Sequence, residues 1–171
     1  MITKAEFLDS CAHEIRVIKH LATKVPEGGL SYRPTPAQRT TLELLRYLTS
    51  CALVPARAMV TGSWDEAEAL EEASRRIEPQ AFGLAMDIQE EALRDLIGRV
   101  PEDEFETREA ILPWGVPQKL GLALVNTVLK PLVAYRMQLF LYAKAAGNPD
   151  IGPTNCWVGV DMPKQPATSS S

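Results

Sequence analysis

Two histidines and three cysteines are the residues of this 171-residue chain best suited to metal or nucleophilic chemistry, and their spacing limits what they can do. His13 and His20 stand seven apart. On a helix that puts their side-chain bases about 10 Å apart, too far for both to hold one ion. Both fall off the apolar stripe of their segment, so solvated surface histidines are expected. Cys11, Cys51 and Cys156 are odd in number and widely spaced, which is no disulfide framework and suits a reducing cytoplasm. No His or Lys lies near Cys51 in sequence to lower its thiol pKa. Cys51 and Cys11 are therefore expected as small buried hydrophobes, and Cys156, near the C-terminus, as a more exposed thiol. Arg136 is suited to receive an anionic ligand. The commoner use of such an arginine is a pair with a carboxylate on a neighbouring helix.

Four stretches must position these residues. Thr3 and Glu6 form a T-x-x-E capping box. After it Phe7, Cys11, Ile15, Ile18, Ala22 and Val25 recur at helical steps, until Pro26, Gly28 and Gly29 end the helix. Residues 30–39 carry two prolines and read as a long crossing loop. A second box, Thr40 to Glu43, opens a helix with Leu44, Leu45, Leu48, Cys51 and Ala52 on its apolar side. Pro55 predicts a kink or an early end there. Residues 65–76 are charged helix formers and predict a short exposed helix or linker, its acidic run from Glu66 to Glu72 solvated. A third long helix starts near Pro79 and shows Phe82, Met86, Gln89, Leu93, Leu96, Ile97 and Val100. Residues 101–117 read as a loop with one short extended piece. The last helix spans 117–147, with Leu120, Leu124, Val128, Leu132, Tyr135, Leu139 and Tyr142 apolar and Gly147 as C-cap. Pro131 removes an N–H and clashes with the Thr127 carbonyl, so a kink is expected at 127–131. Trp114 and Trp157 are expected as packing residues at the bundle ends. The reading is a bundle domain over 1–150 and an irregular tail over 151–171. The tail's NCWVGVDM part should pack on the bundle and its last six or so residues should fray.

Composition excludes some functions. Eighteen basic against 22 acidic residues give a net charge of −4, with no basic run for broad nucleic-acid binding. No apolar stretch reaches the roughly 18 residues that cross a bilayer, and MITKAEFLDS has no signal-peptide core. The expectation is a cytoplasmic protein without nucleic-acid or membrane partners.

Three stretches in order, LSYRPTPAQRTTLELLRYLTSCA (30–52), NTVLKPLVAYRMQLFLYAKAAGNPDIGP (126–153) and TNCWVGVD (154–161), resemble the DinB-like superfamily of bacterial four-helix bundles. The resemblance implies an all-α four-helix bundle and a homodimer. It also implies a divalent metal such as nickel or zinc on three histidines, one from helix two and two, four apart, from the last helix. Members acting as thiol-dependent S-transferases would use that metal to lower a thiol's pKa. Here Tyr47 stands at the first ligand position and Pro131 and Tyr135 at the other two, with Arg136 and Gln138 anchoring the register. No metal cofactor is therefore expected.

Tyr47, Cys51, Pro131, Tyr135, Arg136 and Gln138 are the candidate ligand-pocket residues. The leading expectation is a non-catalytic or degenerate DinB-like protein that binds a small molecule or a protein partner in a bundle cavity. The alternative is a thiol-dependent S-transferase or hydrolase-like enzyme whose metal sits on non-histidine ligands. It would need Cys51, Glu43 or Asp161 to point into the cavity. A third option is a structural dimer whose two tyrosines simply fill the space.

Overall fold

A computed structural model describes residues 2–162. The elements in order are α1 (Lys4–Ala22), α2 (Thr41–Leu48), α3 (Leu53–Thr61), α4 (Ala67–Arg75), α5 (Phe82–Gly98), α6 (Glu102–Thr107), β1 (Glu109–Ile111), β2 (Pro117–Lys119), α7 (Leu120–Leu124), α8 (Lys130–Ala145) and α9 (Pro153–Trp157). A π-helical turn, Val125–Leu129, joins α7 to α8 without a break. The fold is an all-α bundle of four rods: α1, the pair α2 and α3, α5, and α7 running into α8. The long loop after α1 crosses to α2, tightened by a 3-10 turn at Gly29–Ser31.

Both capping boxes form. The Thr3 and Thr40 side chains accept from the Glu6 and Glu43 amides, and each glutamate accepts from its threonine's backbone N–H. The stripes of α1, α2 and α5 meet in one core that includes Phe7, Ile15, Ile18, Leu44, Leu48, Met86, Leu93, Ile97, Leu132 and Leu139.

The second rod does not kink at Pro55. It breaks earlier, at residues 49–52, and Pro55 falls in the first turn of α3, where its missing N–H costs nothing. Gln89 of α5 spans the break. Its Oε1 accepts from the Ala52 and Leu53 amides at 3.1 and 3.2 Å, and its Nε2 donates to the Leu48 carbonyl at 2.9 Å. A buried amide with both ends used offsets the orphaned backbone groups of two helix ends.

Residues 101–119 hold more order than the expected loop. Pro101 caps α6, whose first turn carries Glu102, Asp103 and Glu104 at the positive end of the helix. An antiparallel hairpin follows, pairing Glu109 with Lys119 and Ile111 with Pro117. The last rod therefore begins at Leu120 rather than Pro117. At Pro131 the chain answers the missing N–H by widening the preceding turn: the Lys130 amide reaches back to the Val125 carbonyl. The Thr127 hydroxyl donates to the Ala123 carbonyl at 2.8 Å, within the same turn.

Residues 151–162 lie against α1 and α8 and contain one helical turn, α9, where an irregular tail was expected. The expected fraying of the last residues falls outside the described part of the chain. Gly159 passes so close to α1 that an added Cβ would sit 3.2 Å from the Val17 Cα, and its φ of +75° already favours glycine. Cys156, expected to be exposed, is buried by this packing, and Trp157 instead stays 54% exposed. Among the described residues no helix is long and apolar enough to cross a membrane.

Candidate functional site

Tyr47 closes the last turn of α2 and Tyr135 sits one turn into α8. Their rings meet edge to face with centroids 4.9 Å apart and planes at 70°. Burial first, and then the Tyr135 hydroxyl beside it, push the Tyr47 phenol well above its ordinary value. The Arg39 guanidinium lies over the Tyr47 ring, 4.2 Å from its centroid, a cation–π contact of about 0.5–1 kcal/mol.

Beside this pair opens a cavity of about 260 Å³. Tyr47, Cys51 and Pro131 line it, as do Val54, Pro55 and Thr127, and Trp64, Pro113 and Trp114 are also in its wall. Trp114 stands at the hairpin tip, 62% exposed, and Trp64 is 44% exposed. Both tryptophans thus frame the cavity, where Trp114 was expected to pack at a bundle end. Glu71 and Tyr47 also line a second, larger cleft of about 610 Å³, which carries Arg33, Arg39, Arg46 and Arg75.

Arg136 and Gln138 lie away from this cavity. The helical period explains it: residues 131 and 135 share a face, and 136 is turned about 100° from 135. Arg136 points to α1 instead, where its Nη1 donates to the Glu14 Oε1 at 3.3 Å and its Nε lies 3.2 Å from Oε2 as an ion pair without hydrogen-bond geometry. The Trp157 ring covers the guanidinium at 4.3 Å. Gln138 donates to the Tyr142 hydroxyl at 2.8 Å, and the Tyr142 ring packs edge-on against Tyr32. Burial pushes the Glu14 carboxyl above its usual range, and Arg136 pulls it back only in part.

The histidines are not free surface groups. The ring of His13 meets the Trp157 carbonyl at 3.0 Å and Arg16 at 2.8 Å, and His20 meets Asn155 at 3.1 Å. Both anchor the segment after α8. Asp161, one of the groups an enzyme reading requires in the cavity, is bound there too, accepting from Lys24 at 2.6 Å. Glu43 lines the arginine cleft, but one of its carboxylate oxygens serves the Thr40 cap. That cap, aided by Arg33 and Arg39, holds its carboxyl below the usual range.

Cys51 does reach the cavity wall. Burial pushes its thiol up to about 12, and the Sγ donates to the Leu48 carbonyl at 3.6 Å. It stays protonated at neutral pH and is no thiolate nucleophile.

The divalent metal implied by the fold family does not fit these residues. Tyr47 is held as a neutral phenol, Pro131 has no donor atom, and Cys51 keeps its proton. Among the described residues no three His, Cys, Asp or Glu side chains are grouped to hold a metal ion.

Sequence reasoning missed Glu14, Trp64, Trp114, Arg33 and Arg39. A glutamate between apolar positions 11 and 15 was the available signal for Glu14. The others stand in loops, and only the folded chain brings them to one place.

Neither a family model nor a curated protein matches the sequence. A solved structure does: a DinB-like protein, YjoA, from Bacillus subtilis, 15% identical, with a TM-score of 0.65. The match covers 86% of this chain and 96% of that one. At this identity the likeness is one of fold, and the fold is the DinB-like bundle.

Proposed function

We propose that this chain is a non-catalytic, metal-independent DinB-like protein that binds a small molecule in the cavity beside Tyr47, Cys51 and Pro131. The observation that carries the reading is the cavity itself: about 260 Å³, walled by two tryptophans, a tyrosine and three prolines, next to the places where the resemblance puts metal ligands. A wall of that kind gives apolar area and π-faces to a ligand, with Tyr47 and Thr127 as polar groups to orient it. The protonated Cys51 supports binding over thiol chemistry. Residence in the cytoplasm, which rests on the cysteine usage, and assembly as a homodimer, which rests on the resemblance, belong to the same reading.

The test has two arms. Purified tag-free protein is assayed for metal by mass spectrometry and melted with nickel, zinc and manganese. Indole, a neutral aromatic of cavity size, is then titrated while Trp64 and Trp114 are followed by NMR. The expected result is no stoichiometric metal, no metal-dependent rise in melting temperature, and saturable indole shifts that disappear in Val54→Phe. Stoichiometric metal, or no indole binding up to its solubility limit, would overturn the proposal.

A further inference from the structure

We infer that the ligand of the aromatic cavity is an anion with an apolar ring body, its acid group held by Arg39 and Arg33 at the mouth. This rests on the cavity reading above and adds the ligand's charge.

The cleft that adjoins the cavity carries four guanidiniums, from Arg33, Arg39, Arg46 and Arg75, against two carboxylates, from Glu43 and Glu71. What matters for an anion is which of these cations are left without a carboxylate. Two of the four are already engaged. The Arg46 Nε donates to the Ile77 carbonyl at 2.9 Å, and Glu78 lies 3.8 Å away. Arg75 pairs with Glu71 at 3.5 Å and Glu72 at 3.0 Å.

Arg33 and Arg39 make no ion pair among the described residues. Arg33 reaches only the Pro36 carbonyl, at 3.4 Å. Glu43, the nearest opposing charge in their cleft, has one oxygen taken by the Thr40 amide and hydroxyl. Arg39 sits over Tyr47, which with Glu71 is common to cleft and cavity. A guanidinium held against a ring by one face can keep its N–H groups for two parallel hydrogen bonds to an oxyanion. A ring seated between Trp64 and Trp114 would place an acid group on its rim within this field. Carboxylate and phosphate share that chemistry.

The experiment titrates the full chain with 2-naphthoate, 2-naphthyl phosphate, the neutral 2-naphthalenemethanol and inorganic phosphate, read by tryptophan fluorescence and calorimetry. Both aromatic anions are expected to bind about tenfold tighter than the alcohol, with the gap shrinking in high salt. The tighter of the two names the acid group. In Arg33→Gln/Arg39→Gln the gap closes while the alcohol's affinity holds and the melting temperature falls by no more than a few degrees, the cost of the lost contact with Tyr47, and Arg33→Gln alone gives a partial loss should the double variant be unstable. Equal affinity of alcohol and anions overturns the inference and leaves the cavity reading standing. Inorganic phosphate as tight as the aryl phosphate overturns it too, since the anion then needs no cavity. No binding by any naphthyl compound overturns both.

Discussion

The Tyr47 and Tyr135 rings meet edge to face 4.9 Å apart, one from each of two facing rods, at the place where the resemblance puts two metal-binding histidines. The contact is an aromatic pair worth about 0.5–1.5 kcal/mol beyond its buried area. The folded-state pKa of Tyr47 lies above the ordinary 10.0, so its phenol contributes stability that is full below pH 10 and is lost as pH rises through the higher folded value. In an alkaline absorbance titration, Tyr47 should ionise well above its ordinary 10.0 and together with unfolding. Tyr47→Phe should remove that late step. A Tyr47 that titrates near 10 in the folded protein would contradict the burial.

The same juxtaposition makes the site convertible. Residues 131 and 135 are one helical turn apart, and Tyr47 shares a cavity wall with Pro131 and a ring contact with Tyr135. The variant Tyr47→His/Pro131→His/Tyr135→His should therefore acquire a divalent metal and melt higher in added nickel or zinc, as mass action requires. An unmoved melting temperature in a folded triple variant would show that these three positions do not converge.

What the sequence made legible was local. Capping boxes, apolar stripes and the disturbance at Pro131 depend on residues within four positions of each other, and each has its counterpart in the structure. Contacts across the fold were not legible in that way. Gln89 looked like one member of an apolar stripe, because nothing near it in sequence shows that α2 and α3 part opposite it. Cys156 and Trp157 exchanged their expected roles because a single turn of helix, invisible in a proline-rich segment, decides which side faces α1. For the candidate pocket, Tyr47, Cys51 and Pro131 line one cavity, while Arg136 and Gln138 point elsewhere. Adjacency in a motif does not survive a rotation of 100° per residue.

Gln89 holds the break in the second rod, and its loss should be felt there. Gln89→Leu leaves the Ala52 and Leu53 amides and the Leu48 carbonyl without that partner. At about 1–3 kcal/mol for each buried group left unpaired, urea denaturation should show a loss of at least about 2 kcal/mol. Amide exchange should rise first at residues 49–53. A loss below about 0.5 kcal/mol would mean that water or a backbone shift satisfies those groups.

Arg136 and Glu14 form an ion pair with side chains 2% and 10% exposed. Removing the cation strands a carboxylate, so Arg136→Ala should cost about 3–5 kcal/mol. Glu14→Gln should cost less, because burial already holds the Glu14 pKa above its usual 4.5 and disfavours its charge. With its folded pKa raised, what Glu14 adds to stability is greatest below pH 4.5 and falls as pH rises through the folded value. The double variant Glu14→Gln/Arg136→Ala should cost less than the sum of Glu14→Gln and Arg136→Ala. Costs that simply add in this cycle would show that the two residues do not act as a pair.

The segment after α8 is fastened by groups that acid undoes. Asp161 accepts from Lys24 at 2.6 Å and from Asn155 at 2.8 Å, and the Lys24 hydrogen bond is the main cause that holds its carboxyl below 3.8. His20, packed against Asn155, is held below 6.5 by burial first and by Lys24 next, with Asp161 pulling the other way. Both folded values are depressed. Each group therefore contributes stability above its unfolded pKa and loses it as pH falls through its folded pKa. Two steps should follow on acidification: one below about pH 6.5 from His20 and a second below about pH 3.8 from Asp161. Hydrogen exchange over residues 153–161 should quicken at each step relative to the core of α1, and Trp157 emission should shift as the ring leaves Arg136. His20→Gln should erase the first step and Asp161→Asn the second. If exchange there keeps pace with α1 throughout, the segment opens only with the whole bundle, and the contacts of His20 and Asp161 do not control it.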